Sequence, residues 1–245
     1  MSMISVKELS FTYPDGSQAL DNISFTLEKD RHLALIGPNG AGKSTLLLHL
    51  NGVLKGKGRI DVLGRPVEKP HLSFIRRKIG LVFQNPDHQL FMPSVFDDLA
   101  FGLLNAGMDR KQAEKQVHET LASLDLLEFE DKNPRHLSVG EKKKISLATV
   151  LVLEPEILVL DEPSASLDPG SRRRFIRLLR DLPATKLIAT HDLDLAWELC
   201  PEVVLLDGGR IRARGSREKI LTDEALMLRH NLEMPLSARL FNRSE

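Results

Sequence analysis

The chain has 245 residues, and its 34 lysine and arginine residues balance 34 aspartate and glutamate residues. Hydrophobic residues make up 42% and charged residues 28%, which is typical of a folded globular protein and excludes a disordered or fibrous chain. The zero net charge argues against a general nucleic-acid binder, which normally has a basic excess. The single cysteine, Cys200, excludes an intramolecular disulfide and a cysteine-rich zinc site.

No stretch of the sequence predicts a membrane span. The most apolar runs, Leu147–Leu153 and Ile157–Leu160, are far shorter than the roughly 20 residues that a helix needs to cross a bilayer. The N-terminal residues Met1–Phe11 lack the long apolar core of a signal peptide. We therefore expect a protein that is soluble or that lies against a membrane through a partner.

The first part of the chain predicts strands separated by turns, with one helix between them. Alternating or short apolar runs that end at turn residues are typical of strands. These runs are Ile4–Tyr13, Ala19–Leu27, His32–Ile36, Gly58–Leu63 and Ile79–Phe83. Residues Thr45–Leu54 predict a helix that fades at Gly52.

The middle of the chain, from about Pro93 to Leu153, is mostly helical in its pattern. Arg110–Leu127 shows this best, because small or apolar residues recur there at helical spacing. They are Ala113, Val117, Leu121 and Leu124. We expect this region to be a helical insertion, a subdomain of about residues 87–153.

The last third alternates between strand and helix patterns. Strands are predicted at Ile157–Leu160, Lys186–Ala189, Val203–Leu206 and Arg210–Arg214, with helices at Ser171–Leu182 and Leu193–Leu199. Such alternation predicts an α/β core built on a parallel sheet. Without a linker rich in Pro, Gly or Ser, we expect a single domain over residues 1–245.

A phosphate-binding loop is predicted between the third strand and the helix that follows it. The residues Gly37, Pro38, Asn39, Gly40, Ala41, Gly42, Lys43 and Ser44 match G-x-x-x-x-G-K-S/T, and Thr45 comes next. Glycines allow successive N–H groups to point at phosphate oxygens, Lys43 adds positive charge, and the Ser44 hydroxyl can bind Mg²⁺. The alternative is a chance match in a glycine-containing turn, but the flanking strand and helix favour a phosphate site.

Two carboxylates, Asp161 and Glu162, follow the apolar strand Ile157–Leu160. Ligands of parallel sheets bind at this end of the strands. Asp161 could hold Mg²⁺ through water, and Glu162 could orient or deprotonate an attacking water. The alternative is an ordinary acidic turn, which the presence of a phosphate loop in the same chain makes the weaker interpretation.

The segment Leu137–Glu141 opens a predicted helix, Glu141–Leu153. Ser138 and Glu141 have the Ser-x-x-Glu spacing of a capping box, which explains both residues without a ligand. A capped helix N-terminus is also an anion site. The residues alone leave the two interpretations open.

Taken in order, these motifs resemble those of the ATP-binding cassette (ABC) ATPases. The resemblance extends to Gln84, to Ser166–Asp168 and to His191, and it covers nearly the whole chain. It implies an α/β P-loop NTPase fold with a RecA-like core, an N-terminal antiparallel β part and a helical insertion. It also implies a Mg²⁺-dependent ATPase.

The resemblance assigns roles to individual residues. It implies that Glu162, His191 and Lys43 are catalytic. It implies that Mg²⁺ is bound by Ser44, Gln84 and Asp161. It assigns ATP binding to Tyr13, Gly37, Pro38, Asn39, Gly40, Ala41, Gly42, Lys43, Ser44, Thr45, Ser138 and Gly140.

Each of the more isolated assignments has a structural alternative. The only tyrosine, Tyr13, resembles the aromatic residue that stacks on adenine, but it also fits a core aromatic at a strand end. Gln84 resembles the sensor of the γ-phosphate, or it is a surface turn residue. His191 resembles the switch residue that contacts the γ-phosphate, or it is a structural histidine. Asp168 resembles the residue that couples two sites across a dimer.

Members of this family work as two cassettes arranged head to tail, so that Ser138 and Gly140 act on the ATP of the other cassette. With one cassette in the chain, we expect a homodimer or a dimer with a paralogue. The segment Leu137–Glu141 resembles the signature segment of the family, which usually reads Leu-Ser-Gly-Gly-Gln, but it departs from that sequence at Val139 and Glu141. The stiff, β-branched Val139 at the helix start predicts slower closure and a modest ATPase rate.

A branch of the family is indicated by Val82–Phe91, which resembles the Gln-loop of the energy-coupling factor transporters. Leu232–Pro235 is similar to the tail of the cobalt and nickel members, and Glu141–Lys143 also suits them. In that branch, residues such as Leu90, Phe91 and Phe96 would line a groove for a membrane subunit; the alternative is that they belong to the core of the helical subdomain. The charged runs Lys142–Lys144 and Arg172–Arg174 are expected to be solvated helix faces.

The sequence therefore predicts the ATP-hydrolysing subunit of a complex that imports a small solute, with a cobalt or nickel ion favoured. A vitamin importer of the energy-coupling factor type and a soluble ABC ATPase unconnected with transport are the alternatives. The expected partners are a second cassette, a transmembrane coupling subunit and a substrate-binding membrane subunit, with no nucleic acid. The expected location is the cytoplasmic face of the cell membrane, as a peripheral protein.

Overall fold

Two β-sheets and ten α-helices make up the part of the chain that the computed structural model describes, residues 2–242. The strands are β1 (Ser2–Thr12), β2 (Gln18–Glu28), β3 (Leu33–Ile36), β4 (Lys57–Val62), β5 (Arg65–Pro66), β6 (Ile79–Val82), β7 (Ile157–Asp161), β8 (Thr185–Thr190), β9 (Glu202–Asp207) and β10 (Arg210–Ser216). The helices are α1 (Lys43–Leu50), α2 (Leu72–Lys78), α3 (Val95–Asn105), α4 (Arg110–Ser123), α5 (Val139–Leu151), α6 (Pro169–Asp181), α7 (Leu193–Leu199), α8 (Arg217–Leu221), α9 (Glu224–Arg229) and α10 (Leu236–Asn242).

The smaller sheet is antiparallel, with strand order β2-β1-β4-β5. Its two long strands pair across a turn, with Val6 opposite Phe25 and Leu9 opposite Ile23. These side chains are buried because the sheet places one of its faces on the core. The predicted antiparallel N-terminal part is thereby confirmed.

The larger sheet has strand order β10-β9-β3-β8-β7-β6 and is parallel except for β10, which runs antiparallel to β9. Every residue of β3, β7 and β8 is buried, as expected for parallel strands covered on both faces. Alternate residues of β3 face two different hydrophobic cores. Leu33 and Leu35 face the core shared with the smaller sheet and α1, whereas Ala34 and Ile36 face the core on the opposite side of the larger sheet. The predicted α/β core with a parallel sheet is confirmed.

Helices α3, α4 and α5 share a hydrophobic core of their own. Its buried residues include Leu99, Val117, Leu121 and Ile145. The helix predicted to reach Leu127 ends at Ser123, because the chain turns at Leu124 and Asp125 takes a positive φ of 55°. Helix α5 begins two residues before its predicted start, with Ser138 as its N-cap.

None of the short helices near the C-terminus, α8 to α10, was predicted from the sequence. The last of them docks on α7: Ser237 donates through its N–H and hydroxyl to Asp194 Oδ1 at 3.0 and 2.8 Å, and the ring centroids of Trp197 and Phe241 lie 5.5 Å apart. Cys200 ends α7 and is fully buried, and burial raises the pKa of its thiol to about 12. Within residues 2–242, no helix has both the length and the apolar character that a membrane span requires.

Candidate functional site

The phosphate loop connects β3 to α1 at the carboxyl edge of the parallel sheet. Gly42, directly before the helix, has a φ of 101°, and a Cβ atom there would lie 2.5 Å from the Ala19 carbonyl oxygen of the smaller sheet. Only glycine combines this backbone conformation with so close an approach. The two sheets therefore fix the shape of the loop.

Lys43 lies inside the loop, with its side chain 6% exposed. Its Nζ donates to the carbonyls of Gly37 at 2.7 Å and Pro38 at 3.2 Å. The same Nζ is 3.7 Å from Glu162 Oε1. The lysine thus lies between the loop and the acidic pair.

A cavity of 460 Å³ brings most of the predicted site residues together. Its lining includes Tyr13, Asn39, Gly40, Ala41, Gly42, Lys43, Ser44, Thr45, Gln84, Glu162 and His191. Tyr13 packs edge-on against Phe11, with ring centroids 4.9 Å apart, and its hydroxyl lies 2.9 Å from Thr45 Oγ1. The tyrosine is therefore attached to the first turn of α1 at the wall of the cavity.

Asp161 ends β7 and is buried, with its Oδ1 free of any hydrogen-bond partner in the structure. Burial raises the pKa of this carboxyl, while a hydrogen bond with the Ser44 side chain opposes the rise. A buried carboxylate oxygen without a partner is costly. An oxygen-ligated cation such as Mg²⁺, bound between Asp161 and Ser44, would satisfy it.

Glu162 occupies a left-handed backbone conformation, with a φ of 45°, directly after β7. Its Oε2 accepts hydrogen bonds from the Thr190 hydroxyl at 3.2 Å and from the His191 N–H at 3.1 Å. The His191 Nδ1 lies 2.8 Å from the same oxygen. Strand β8 therefore orients this carboxylate toward the phosphate loop through residues at its own carboxyl end.

His191 is 58% exposed, so its ring reaches into the cavity from the end of β8. The next residue, Asp192, fixes this turn. It accepts a two-pronged bond from Arg172, at 2.6 and 2.7 Å, and a bond from the Ser164 hydroxyl at 2.8 Å. Burial opposes the charge of Asp192, but these donors and the Leu195 N–H hold the pKa of its carboxyl below the usual value.

The signature segment forms the predicted capping box. The N–H and hydroxyl of Ser138 both donate to Glu141 Oε2 at 2.7 Å, and the Glu141 N–H contacts Ser138 Oγ at 3.4 Å. Ser138 and Val139 are nevertheless exposed, and neither Ser138 nor Gly140 lines the cavity. The cap is thus confirmed, and the capped helix N-terminus lies at the surface of the chain.

One expectation about surface residues is wrong, and the structure decides between the two interpretations of Leu90. Lys142 and Lys143 are not solvated: Lys142 pairs with Asp87 at 2.7 Å, and Lys143 is 4% exposed. Leu90 is also buried, in the core shared by α3 to α5, whereas its neighbour Phe91 is 59% exposed. Lys142 and Lys143 are covered because they lie on the buried side of α5, and no local signal in the sequence indicates which side of the helix is buried.

Comparison with known proteins agrees with this geometry. The family model described as ABC transporter matches residues 20–165. A protein from Gloeobacter violaceus whose name describes an ABC transporter ATP-binding protein is 52% identical over 235 residues, covering 95% of this chain and 96% of its own. The energy-coupling factor transporter ATP-binding protein EcfA of Carboxydothermus hydrogenoformans is 42% identical over 246 residues, covering 99% of this chain and 91% of its own.

Solved structures show the same fold. The structure of cbiO1 from Clostridium perfringens, described as part of the ABC transporter complex cbiONQ, superimposes with a TM-score of 0.80 at 35% identity, covering 98% of this chain and 99% of that one. A dimeric ATP-binding cassette bound to ADP and Pi has a TM-score of 0.79 at 24% identity. The chain therefore belongs to the ABC transporter family of ATP-binding cassettes. Like these cassettes, it binds ATP and is an ATPase.

Proposed function

We propose that the chain is the ATP-hydrolysing subunit of a membrane import complex of the energy-coupling factor type, with a cobalt or nickel ion as the transported solute. The observation that carries the proposal is that the phosphate loop, Gln84, Glu162 and His191 line one and the same cavity. The relatives named EcfA and the neighbour from the cbiONQ complex support the type of complex. The choice of metal rests on the resemblance of Leu232–Pro235 to the tails of cobalt and nickel members.

In this proposal ATP lies along the loop and the first turn of α1. Backbone N–H groups of Asn39 to Thr45 face the phosphates, and the helix N-terminus adds its dipole. Lys43 exchanges the carbonyls of Gly37 and Pro38 for β- and γ-phosphate oxygens. The Tyr13 ring, at the cavity wall, stacks on adenine.

Ser44, Gln84 and Asp161 are proposed to hold Mg²⁺. The unpartnered Oδ1 of Asp161 and the hydrogen bond between the Asp161 carboxyl and the Ser44 side chain support this set, and Ser44 and Gln84 line the same cavity. Bound Mg²⁺ neutralises charge on the triphosphate during transfer. The carboxamide of Gln84 can accept or donate, so it can report the presence of the γ-phosphate from its place after β6.

Glu162 is proposed as the general base. Its Oε2 is held by Thr190 and His191, which leaves Oε1 on the side of Lys43 and the phosphate loop. A carboxylate held in this way can take the proton of a water that attacks the γ-phosphate. His191 positions this carboxylate and, from its exposed ring, contacts the γ-phosphate.

The second half of each ATP site is proposed to come from another cassette, either a second copy or a paralogue. Ser138 and Gly140 lie outside the cavity of their own chain but on an exposed helix N-terminus. A phosphate presented by a partner would take the Ser138 hydroxyl over from Glu141 Oε2 and approach the N–H groups of this helix N-terminus. Asp168 caps α6, with bonds from the Gly170 and Ser171 N–H groups at 2.9 and 3.0 Å, and is proposed to couple the two sites.

The helical subdomain, about residues 87–153, is proposed to dock a transmembrane coupling subunit. Phe91, Phe101 and Leu104 are 59, 42 and 46% exposed, and the two phenylalanine rings contact each other edge-on at 5.2 Å. Such an apolar surface is typical of a partner site. The complex would also contain a substrate-binding membrane subunit, and the cassette would lie on the cytoplasmic face of the membrane.

Two measurements test the proposal. Purified protein should release phosphate from Mg-ATP, and Lys43→Ala should abolish this release; an inactive wild type would contradict the catalytic part. Co-expression with a transmembrane coupling subunit and a substrate-binding membrane subunit of this type should support uptake of radioactive cobalt or nickel by vesicles. Uptake of a vitamin instead would favour the other importer type, and ATPase activity without membrane assembly would favour a soluble ATPase.

A further inference from the structure

Lys143 is a buried cation in an unusual place. It lies on the inner side of α5, 4% exposed, and burial lowers the pKa of its ammonium to about 8 although Glu162 and Asp161 favour its charge. A buried charge is costly unless it is hydrogen-bonded. Here the Nζ donates to two backbone carbonyls, those of Gln84 and Glu162, each at 3.1 Å.

These two carbonyls belong to the ends of neighbouring strands. In the parallel ladder between β6 and β7, the last residue pair is Val82 with Leu160. Gln84 and Glu162 each lie two residues beyond that pair, where ladder hydrogen bonds no longer join the strands. The Lys143 ammonium joins them instead.

The Lys143 bond also acts on a strained residue. Glu162 is not a glycine but has a φ of 45°, a conformation that persists only where its surroundings enforce it. Its N–H donates to the Ala189 carbonyl at 2.8 Å, and its own carbonyl accepts from Lys143. The direction of the Glu162 side chain depends on this backbone conformation.

Other contacts tie α5 to the segment that follows β6. Lys142 pairs with Asp87 at 2.7 Å, and Gln89 Nε2 donates to the Ser146 carbonyl at 2.7 Å and to the Thr149 hydroxyl at 2.8 Å. Of these contacts with α5, that of Lys143 is the one that extends to the end of β7. It therefore connects the signature helix with both predicted active-site strand ends at once.

We propose that Lys143 is a positioning residue that fixes the separation of Gln84 and Glu162 across the ATP cavity and couples both to the signature helix. The proposal rests on the proposed function for its catalytic consequence, but its structural part is independent of that function. Without this bridge of two hydrogen bonds from Lys143, Glu162 can leave its left-handed conformation. The side chains of Gln84 and Glu162 then no longer hold the attacking water and the γ-phosphate in the arrangement that transfer requires.

The test uses Lys143→Met, which keeps most of the side-chain volume and removes the donor. The control is Lys115→Met in the same subdomain, where the lysine is 77% exposed. In Lys143→Met, kcat for Mg-ATP should fall about 10-fold to 100-fold, the effect of losing a hydrogen bond to a charged group, while KM for ATP changes by less than about 3-fold. Hydrogen exchange of amides in residues 83–89 and 162–166 should rise about 10-fold in the same variant without nucleotide.

The two readouts separate the two proposals. An inactive wild type with faster exchange only in Lys143→Met would overturn the proposed function and support the bridge. Unchanged exchange, or kcat within 2-fold of wild type in a folded Lys143→Met, would overturn the bridge. If Lys143→Met does not fold, Lys143→Gln replaces it. Because the glutamine side chain is shorter and is expected to reach only one of the two carbonyls, hydrogen exchange should rise by an intermediate amount. Exchange as slow as in the wild type would overturn the bridge.

Discussion

Glu162 is the proposed general base, so the first prediction concerns its carboxylate. Replacement of its carboxylate in Glu162→Gln should lower kcat by about 10²-fold to 10⁴-fold, the contribution of a general base, because the amide cannot take a proton from water. Binding of ATP should be retained, since Lys43 and the loop are unchanged. Single-turnover phosphate release together with fluorescence titration of a labelled ATP analogue measures both quantities.

A control for this variant is Ser164→Ala. That hydroxyl bonds Asp192 and not Glu162, so its loss should affect the ATPase rate far less. Undiminished turnover in Glu162→Gln would assign the proton acceptor to another group and would leave Glu162 as a structural residue beside Lys43.

Asp192 predicts a pH dependence of stability. Arg172, Ser164 and the Leu195 N–H lower the pKa of this carboxyl in the folded state. The carboxylate therefore contributes to the free energy of unfolding above the usual carboxyl pKa of about 4, and this contribution is lost as the pH falls through the lowered pKa. Asp192 is the N-cap of α7, and because Asn also caps helices well, Asp192→Asn should keep the cap and remove only the charge. Urea unfolding should show a loss of about 2 kcal/mol at pH 7.

The difference in unfolding free energy between wild type and Asp192→Asn should shrink as the pH falls below about 4, because the carboxyl of the unfolded wild type then binds a proton while the folded one, with its lowered pKa, does so only at still lower pH. Measurements at pH 7, 5 and 3.5 follow the change. A constant difference at all three values would show that shape, not charge, makes Asp192 stabilising.

At the residue scale, the spacing of short motifs at strand ends predicted the phosphate loop and the acidic pair, whereas Gln84 and His191 were assigned only by the resemblance to the ABC ATPases. The cavity indeed collects Lys43, Ser44, Gln84, Glu162 and His191. Lys143 could not be predicted in this way. Its two partners lie 59 and 19 residues away, and the flanking lysines make the run look solvated.

Helix α5 carries the next prediction, at the scale of an element. In Ser138→Ala the helix loses its cap, which should cost about 1 kcal/mol of unfolding free energy. If Ser138 also contacts phosphate in a partner's site, the ATPase rate should fall by about 10-fold or more, which so small a loss of stability does not explain. Thermal unfolding and steady-state phosphate release measure the two effects.

Asp109→Ala is the matched control, because Asp109 caps α4 with bonds to the Lys111 and Gln112 N–H groups at 3.0 and 3.1 Å. It should cost a similar unfolding free energy and leave the ATPase rate unchanged. Equal activity in the two alanine variants would reduce Ser138 to a helix cap.

Element types followed from the periodicity of apolar residues, and ends were set by caps that the sequence only partly revealed. The all-buried strands β3, β7 and β8 were predicted because few residue types fit a strand covered on both faces. The terminal helices α9 and α10 were not predicted. They are six and seven residues long, too short for a period to emerge, and α10 is held by tertiary contacts of Ser237 and Phe241 with α7.

At the scale of the whole molecule, the proposed head-to-tail dimer predicts rescue between inactive variants. Lys43→Ala and Ser138→Ala damage opposite halves of the composite site, so a mixed dimer keeps one intact site. Mixing equal amounts should restore about a quarter of wild-type activity, because half the dimers are mixed and each has one working site of two. Phosphate release before and after mixing measures the rescue.

A second mixture provides the control. Lys43 and Glu162 lie 3.7 Å apart in one cavity of one chain, so Lys43→Ala mixed with Glu162→Gln should leave both sites of every mixed dimer defective. Rescue in this pair, or none in the first, would contradict a site shared between chains.

The position of Lys43 has a consequence for the energetics of the working cycle. Because its ammonium bonds the Gly37 and Pro38 carbonyls, the loop can hold its curved shape through its own contacts. A loop held in this way should lose little conformational entropy when a nucleotide binds, and ADP and ATP should enter at similar rates. Discrimination between the two nucleotides would then depend on the proposed site residues beyond the loop, namely Gln84, Glu162 and His191. The ratio of ATP to ADP in the cell, rather than a slow opening of the loop, would thus determine how often the cycle starts.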